Sequence, residues 1–182
     1  MTNTRYSSPA IGLHWAIAIL VLAAWPLGWY MADLPLSPNK LQLISWHKWL
    51  GITVLMLMLP RLLWRATHTP PPLPAGMPNW QSKAAHLAHF ALYALLLAVP
   101  LSGWLMSSAK GYPVVWLGIW QLPDLIGKDK ELGDLFKEAH ELLNDAFIVL
   151  IVAHIGAAVM HRVKGDGILQ RMLPACCQPR NR

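Results

Sequence analysis

Four apolar stretches, Ile11–Met31, Ile44–Trp64, Ala84–Met106 and Ala139–Met160, decide what this chain can fold into. Each is close to the roughly 20 residues that an α-helix needs to cross a bilayer. In hydrocarbon every backbone N–H and C=O must be paired within the segment, so such a stretch spans as a helix. The expected fold is all-α: an integral membrane bundle of four helices in a single domain covering residues 1–182. Composition agrees, because 55% of the residues are hydrophobic and only 13% are charged. Soluble domains carry about 25% charged residues. The first stretch reads as a retained helix rather than a cleaved leader. It is too long for a signal-peptide core, it contains His14, and no small-residue cleavage site follows Met31.

Charge gives the orientation. With both termini on one side, that side holds nine cationic residues (Arg5, Arg61, Arg65, Lys83, Arg162, Lys164, Arg171, Arg180 and Arg182) against Asp166 alone, hence +8. The opposite side holds six lysines against eight acids, hence −2. The positive-inside rule places both termini in the cytoplasm. The basic balance therefore belongs to membrane topology, and nucleic acid is not an expected partner. Cys176 and Cys177 are adjacent near the cytoplasmic end, a context that argues against a structural disulfide.

Of the connections, the first outer loop, Ala32 to Leu43, contains Pro35 and Pro38, read as stops to helix propagation. The inner loop from Thr69 to Pro78 has five prolines in nine residues and reads as an extended spacer. The second outer loop runs from Ser107 to about Glu138. Its Trp-rich segment Pro113–Trp120 is too short to span and is expected at the outer interface, before a charged run, Asp124 to Glu141, that leads into the fourth helix. Trp15, Trp29, Trp46, Trp49, Trp64 and Trp104 lie near helix ends, where aromatic belts form.

The chemistry rests on histidine. An ionisable residue inside a span is a functional candidate by default. His140 and His154 are fourteen residues apart on the fourth stretch. That spacing is about 3.9 turns, which puts both rings on nearly one face, roughly 21 Å apart along the axis. Depth matching pairs His154 with His14 near the inner surface and His140 with His47 near the outer one. His86 and His89, three residues apart on the third helix, also lie at the inner depth, so the inner partner stays open on depth alone. Two opposed imidazoles per level do not make the three- or four-ligand set of zinc, and no carboxylate triad stands near for non-haem iron. They suit a bis-histidine haem filling the apolar space between helices. Gly51 and Gly156, close to His47 and His154, would let a flat porphyrin approach the backbone. No Cys-x-x-Cys-His sequence is present, so the haem would be non-covalent, of b type. A six-coordinate haem has no open position for oxygen and serves electron transfer. His86 and His89 are candidates for secondary cofactor contacts, and His161, seven residues past His154, is a candidate for a quinone carbonyl.

The pieces Gly12-Leu13-His14-Trp15, Trp46-His47-Lys48-Trp49-Leu50-Gly51, Ala85-His86-Leu87-Ala88-His89 and His140…His154-Ile155-Gly156 together resemble the bacterial cytochrome b561 family. The Thr69-Pro70-Pro71 run and the Arg171-Met172-Leu173-Pro174 ending fit too, so the resemblance covers nearly the whole chain. It implies two b haems, the inner held by His14 and His154 and the outer by His47 and His140, and so favours His14 over His86 and His89. It is similar, too, to the cytochrome b subunits of formate dehydrogenase and nickel hydrogenase. It further implies an oxidoreductase of the bacterial inner membrane, like a superoxide oxidase, that passes electrons from superoxide at the periplasmic surface to ubiquinone. Lys48, Lys110 and Lys137 lie where they would steer an anion to the outer haem, although Glu138 and Glu141 flank the ligand. Two other readings compete: a haem b anchor relaying electrons for a partner dehydrogenase or hydrogenase, and a haem-free transporter or sensor. The latter needs polar residues at mid-membrane, where the helices read as runs such as Val54-Leu55-Met56-Leu57. Whether the chain is a monomer or a homodimer is open at this level.

Overall fold

The computed structural model describes residues 5–73, 76–174 and 177. Pro74, Ala75, Cys176, Arg180 and Arg182 lie outside the described residues. Four long helices dominate: α1 (Ser8–Ala32), α2 (Pro38–Thr67), α3 (Asn79–Ala109) and α4 (Lys130–Lys164). All four are long and apolar enough to cross a membrane. Few side chains are buried within the protein, among them Ile11, Ile17, Ile52, Val54, Met58 and Phe147. Leu63, Phe90, Val149 and Val163 present their apolar surface outward, at 69–83% exposure. Such a surface is stable against lipid and costly in water.

Each helix is longer than its apolar stretch, because hydropathy marks the lipid-embedded part and capping chemistry marks the ends. Ser37 caps α2 by accepting from the Lys40 N–H, and Pro38 sits at the first helical position. Proline is tolerated there because its missing N–H has no intrahelical partner to lose, so Pro38 starts a helix rather than stopping one. Asp129 caps α4 by accepting from the Leu132 N–H at 3.0 Å. The helix therefore begins nine residues before Ala139, taking in most of the charged run read as a lead-in. His47 and His140 consequently lie about two and a half to three turns inside their helices rather than at the openings.

The termini and the α2–α3 loop gather at one end of the bundle, here the terminal end; the α1–α2 and α3–α4 connections form the loop end. At the terminal end a short 3-10 turn, Leu169–Arg171, folds back over the start of α1. Tyr6 N–H donates to Arg171 O (3.2 Å), the Trp15 indole to Met172 O (2.8 Å), and the Trp64 indole to Ser7 Oγ (2.8 Å). At the loop end Pro113–Trp120 forms part of a hairpin, with β1 (Val115–Trp116) antiparallel to β2 (Trp120–Gln121). Leu117 (φ 53) and Gly118 (φ 72) make its turn, and holding a leucine in that region costs roughly 1–2 kcal/mol. What stabilises the hairpin is its attachment to α2: Trp49 donates to Val115 O (2.6 Å) and Trp116 to Thr53 Oγ1 (3.0 Å). The tryptophans near helix ends thus tie loops to helices as well as lining the interface.

The closely packed pairs are α1 with α2, α3 with α4 and, less extensively, α2 with α3. Helix α4 packs closely against neither α1 nor α2. Asp129→Ala is expected to cost about 1 kcal/mol by removing the α4 cap, read as a lower thermal midpoint in detergent. The neighbouring Lys130→Ala should stay within about 0.5 kcal/mol.

Candidate functional site: two histidine pairs on one helix

Both histidine pairs stand across the gaps that α4 leaves open. At the loop end His47 of α2 faces His140 of α4, ring centres 6.2 Å apart and planes at 89°. At the terminal end His14 of α1 faces His154 of α4 at 6.4 Å and 69°. A metal–imidazole bond of about 2 Å on each side, plus roughly 1.1 Å from nitrogen to ring centre, puts trans ligands about 6.3 Å apart. Both pairs match that separation. His89 of α3 also approaches His154, at 5.4 Å and 76°. That is about an ångström too close for an iron between them, which favours His14 as the terminal-end partner.

The loop-end rings are held in the tautomer a metal requires. His47 Nδ1 lies 3.0 Å from Ala24 O on α1, and His140 Nδ1 lies 2.9 Å from Val99 O on α3. A carbonyl only accepts, so each Nδ1 carries the proton and each Nε2 keeps a free lone pair. Ser102, buried on α3, donates to Val99 O at 2.8 Å and offers its oxygen to His140 Nδ1 at 3.0 Å. Room for the rings comes from glycines. A Cβ on Gly28 would stand 2.9 Å from His47 Cε1, and one on Gly103 would stand 3.0 Å from His140 Cε1. Each glycine is one turn beyond the carbonyl its histidine uses: Ala24 and Gly28 on α1, Val99 and Gly103 on α3. Sequence reasoning missed both; the signal was a glycine inside an apolar span at the depth of a ligand. Gly51 instead faces α3, where a Cβ would meet Pro100 Cβ at 3.9 Å, and at Gly156 nothing lies within 4 Å.

The terminal-end pair is backed differently. Arg61 Nη2 lies 3.3 Å from His14 Nδ1, Nη1 donates to Ala10 O at 3.4 Å, and the guanidinium sits 5.4 Å over the Tyr93 ring. The Arg61 Nε is buried without a hydrogen-bond partner. A cavity of about 370 Å³ adjoins it, lined by Arg5, Arg61, Arg65, Tyr93 and the Pro70–Pro72 run among others. The buried, unpaired Arg61 Nε beside this cavity suits a carboxylate of a porphyrin.

The remaining candidates are placed as follows. His86 is exposed and turned back to Ser82 O on its own helix (2.7 Å). His161 donates from Nδ1 to Asp166 just beyond α4. Partial desolvation pushes the Asp166 carboxyl up, but bonds from His161 and the Ile168 N–H outweigh it and hold it below the ordinary carboxylate range. Lys48 reaches Tyr112 O and Pro113 O (3.4 and 3.3 Å), Lys110 pairs with Asp134 (3.1 Å), and Lys137 pairs with Glu141 (2.7 Å). A second, open cavity of about 370 Å³ at the loop end brings Lys110 together with Lys128 and Lys130, against Asp129 and Asp134. Lys128 and Lys130 were not singled out from sequence, since three cations scattered over a helix end and a loop meet only in space. His68 stacks on Trp64 (3.8 Å, 8°) away from both pairs.

Among the described residues no group of three or more His, Cys, Asp or Glu side chains could hold a metal ion by itself. Paired imidazoles across an apolar gap fit a planar metal macrocycle instead. A family model described as prokaryotic cytochrome b561 matches residues 5–175. The chain belongs to the prokaryotic cytochrome b561 family. Membership makes it a haem b electron-transfer protein of a bacterial membrane. Cytochrome b561 homolog 2 of Escherichia coli K12 is 34% identical over 177 residues, covering 94% of each chain. Cytochrome b561 homolog 1 of the same organism is 33% identical over 175 residues, covering 93% of this chain and 97% of that one. A probable superoxide oxidase, CybB, of Yersinia pestis is 31% identical over 181 residues, covering 94% and 97%.

Gly103→Ala and Gly28→Ala are expected to overpack the loop-end rings by about 1–3 kcal/mol. Haem content per chain should fall in both, while Gly12→Ala, where nothing lies within 4 Å, should leave it unchanged. Haem quantitation on purified protein checks this.

Proposed function

We propose that this cytochrome b561 carries two b haems and passes electrons from superoxide on the non-cytoplasmic side to membrane ubiquinone. The observation that carries the two-haem reading is the pair of ring separations, 6.4 and 6.2 Å, each with one ligand from α4. Bound haem b supplies one-electron chemistry at iron, and imidazoles on both faces leave no position for oxygen to bind. His14 and His154 would hold one haem, and His47 and His140 the other. Arg61 and the cavity beside it would receive propionates at the terminal end, with His89 packed on His154.

Positive-inside charge supports a terminal end in the cytoplasm, both termini with it, and a loop end in the periplasm of the inner membrane. The donor reading is supported by the name of the Yersinia relative and by the Lys110, Lys128 and Lys130 cavity, whose lysines outnumber its acids by one. Lys48 and Lys137 add positive charge beside the loop-end ligands. Two superoxide ions would each give one electron and leave as oxygen, and one quinone would take both electrons and two protons. His161 is suited to the quinone side. Asp166 accepts from its Nδ1–H, which orients the ring and leaves Nε2 for a quinone or quinol oxygen.

The test is haem quantitation and visible spectroscopy of the wild type, His140→Ala and His154→Ala. The expected stoichiometry is about two in the wild type, with each variant losing mainly one haem. Superoxide should reduce the wild-type haems, and added ubiquinone should reoxidise them. Two haems that superoxide fails to reduce would sink the donor while leaving the electron-transfer reading standing.

A further inference from the structure

The two pairs differ in what stands behind their rings. At the loop end both Nδ1–H groups donate to helix carbonyls, with Ser102 beside His140. Donation to a carbonyl makes an imidazole more basic, hence a stronger electron donor to iron. Glu141, next to His140 in the chain, is paired with Lys137 (2.7 Å). At the terminal end the group behind His14 is Arg61, which has donors only and accepts nothing. Its Nη2 lies 3.3 Å from His14 Nδ1, and His14 faces His154 across 6.4 Å. None of the ion pairs among the described residues includes Arg61. Its place is fixed by Ala10 O and the Tyr93 ring, and it is shielded among α1, α2 and α3. A guanidinium stays protonated at any working pH, so this positive charge is permanent.

We propose that Arg61 is a positioning residue that makes the His14/His154 centre the stronger electron acceptor of the two, so that electrons settle at the terminal end. The inference rests on the two-haem reading. Gaining an electron lowers the positive charge at iron, and a fixed cation nearby favours that state. At the loop end the carbonyls of Ala24 and Val99 act in the opposite sense. With haem bound at both pairs, Arg61 would bias a one-electron equilibrium toward the His14/His154 pair. No bond is made or broken, so the direction is set by the difference in potential alone. Sequence charge could not show this, since Arg61 is one of nine cations on its side.

Spectroelectrochemical titration of haem-loaded wild type, Arg61→Gln and Arg61→Lys tests the proposal, with each wave assigned from the single-haem variants His140→Ala and His154→Ala. In the wild type the terminal-end wave should lie at the higher potential. Arg61→Gln should lower that wave alone and shift the electron partition at least about tenfold toward the loop end, which is about 59 mV for a one-electron couple. Arg61→Lys, which keeps the charge without the fork, should restore most of the difference. An unmoved or raised terminal-end wave in Arg61→Gln overturns the proposal, as does an equal shift of both waves. Should Arg61→Gln fail to hold haem, the wild-type order decides, and a terminal-end wave below the other one overturns it. A single haem per chain would overturn the two-haem reading and this proposal with it, an outcome distinct from two waves in the wrong order.

Discussion

A carbonyl oxygen inside a helix has two lone pairs and spends one on the N–H a turn later, and the loop-end centre is built on the one left over. Ala24 O and Val99 O each take a histidine N–H from the neighbouring helix. In hydrocarbon an imidazole N–H without an acceptor is costly, and a ring free to rotate cannot hold a metal in a fixed plane. One bond answers both needs. It orients the ring, fixes the tautomer and brings the helix that supplies the carbonyl against the helix that supplies the histidine. The pairing of α1 with α2 and of α3 with α4 follows the same line, since those are the partners of His47 and His140.

Glycine is the complement of that bond. A ring edge can reach a carbonyl on the face of another helix only where the residue one turn on lacks a side chain, as at Gly28 and Gly103. Glycine costs a soluble helix roughly 1 kcal/mol relative to alanine. In lipid the backbone has no water to turn to, so the helix persists and the gap becomes usable. Close packing is thereby moved away from α4 on the sides facing α1 and α2, which are the sides where the histidine pairs stand.

How much of this was legible in the sequence follows from the range of each interaction. The four spans were legible because membrane thickness sets one length scale for all of them. The pairing of His47 with His140 was legible because fourteen residues on a helix is a rigid ruler and depth is shared between helices, whereas at the inner level depth left His14, His86 and His89 open and the family resemblance favoured His14. What escaped depends on the rotation of one helix against another, which no periodicity encodes. The contacts of Gly28, Gly103 and Ser102 with the rings, and of Arg61 with His14, all belong there. The early start of α4 escaped for another reason: Asp129 sets it by a local cap, whereas hydropathy locates only the apolar part. The hairpin was hidden because its stability comes from Trp49 and Thr53 on α2, far away in the chain.

The stitching at the terminal end bears on the order in which the protein is completed. Helices α1 and α4 do not pack closely, and what joins their ends is the segment around Leu169–Met172 lying over Tyr6 and Trp15. During synthesis from the N-terminus that segment emerges after all four helices have been made. Until it does, the gap between His14 and His154 is bounded by two helices with nothing tying them at that end. The contacts that join the ends of α1 and α4 are thus the last part of this end of the bundle to be made.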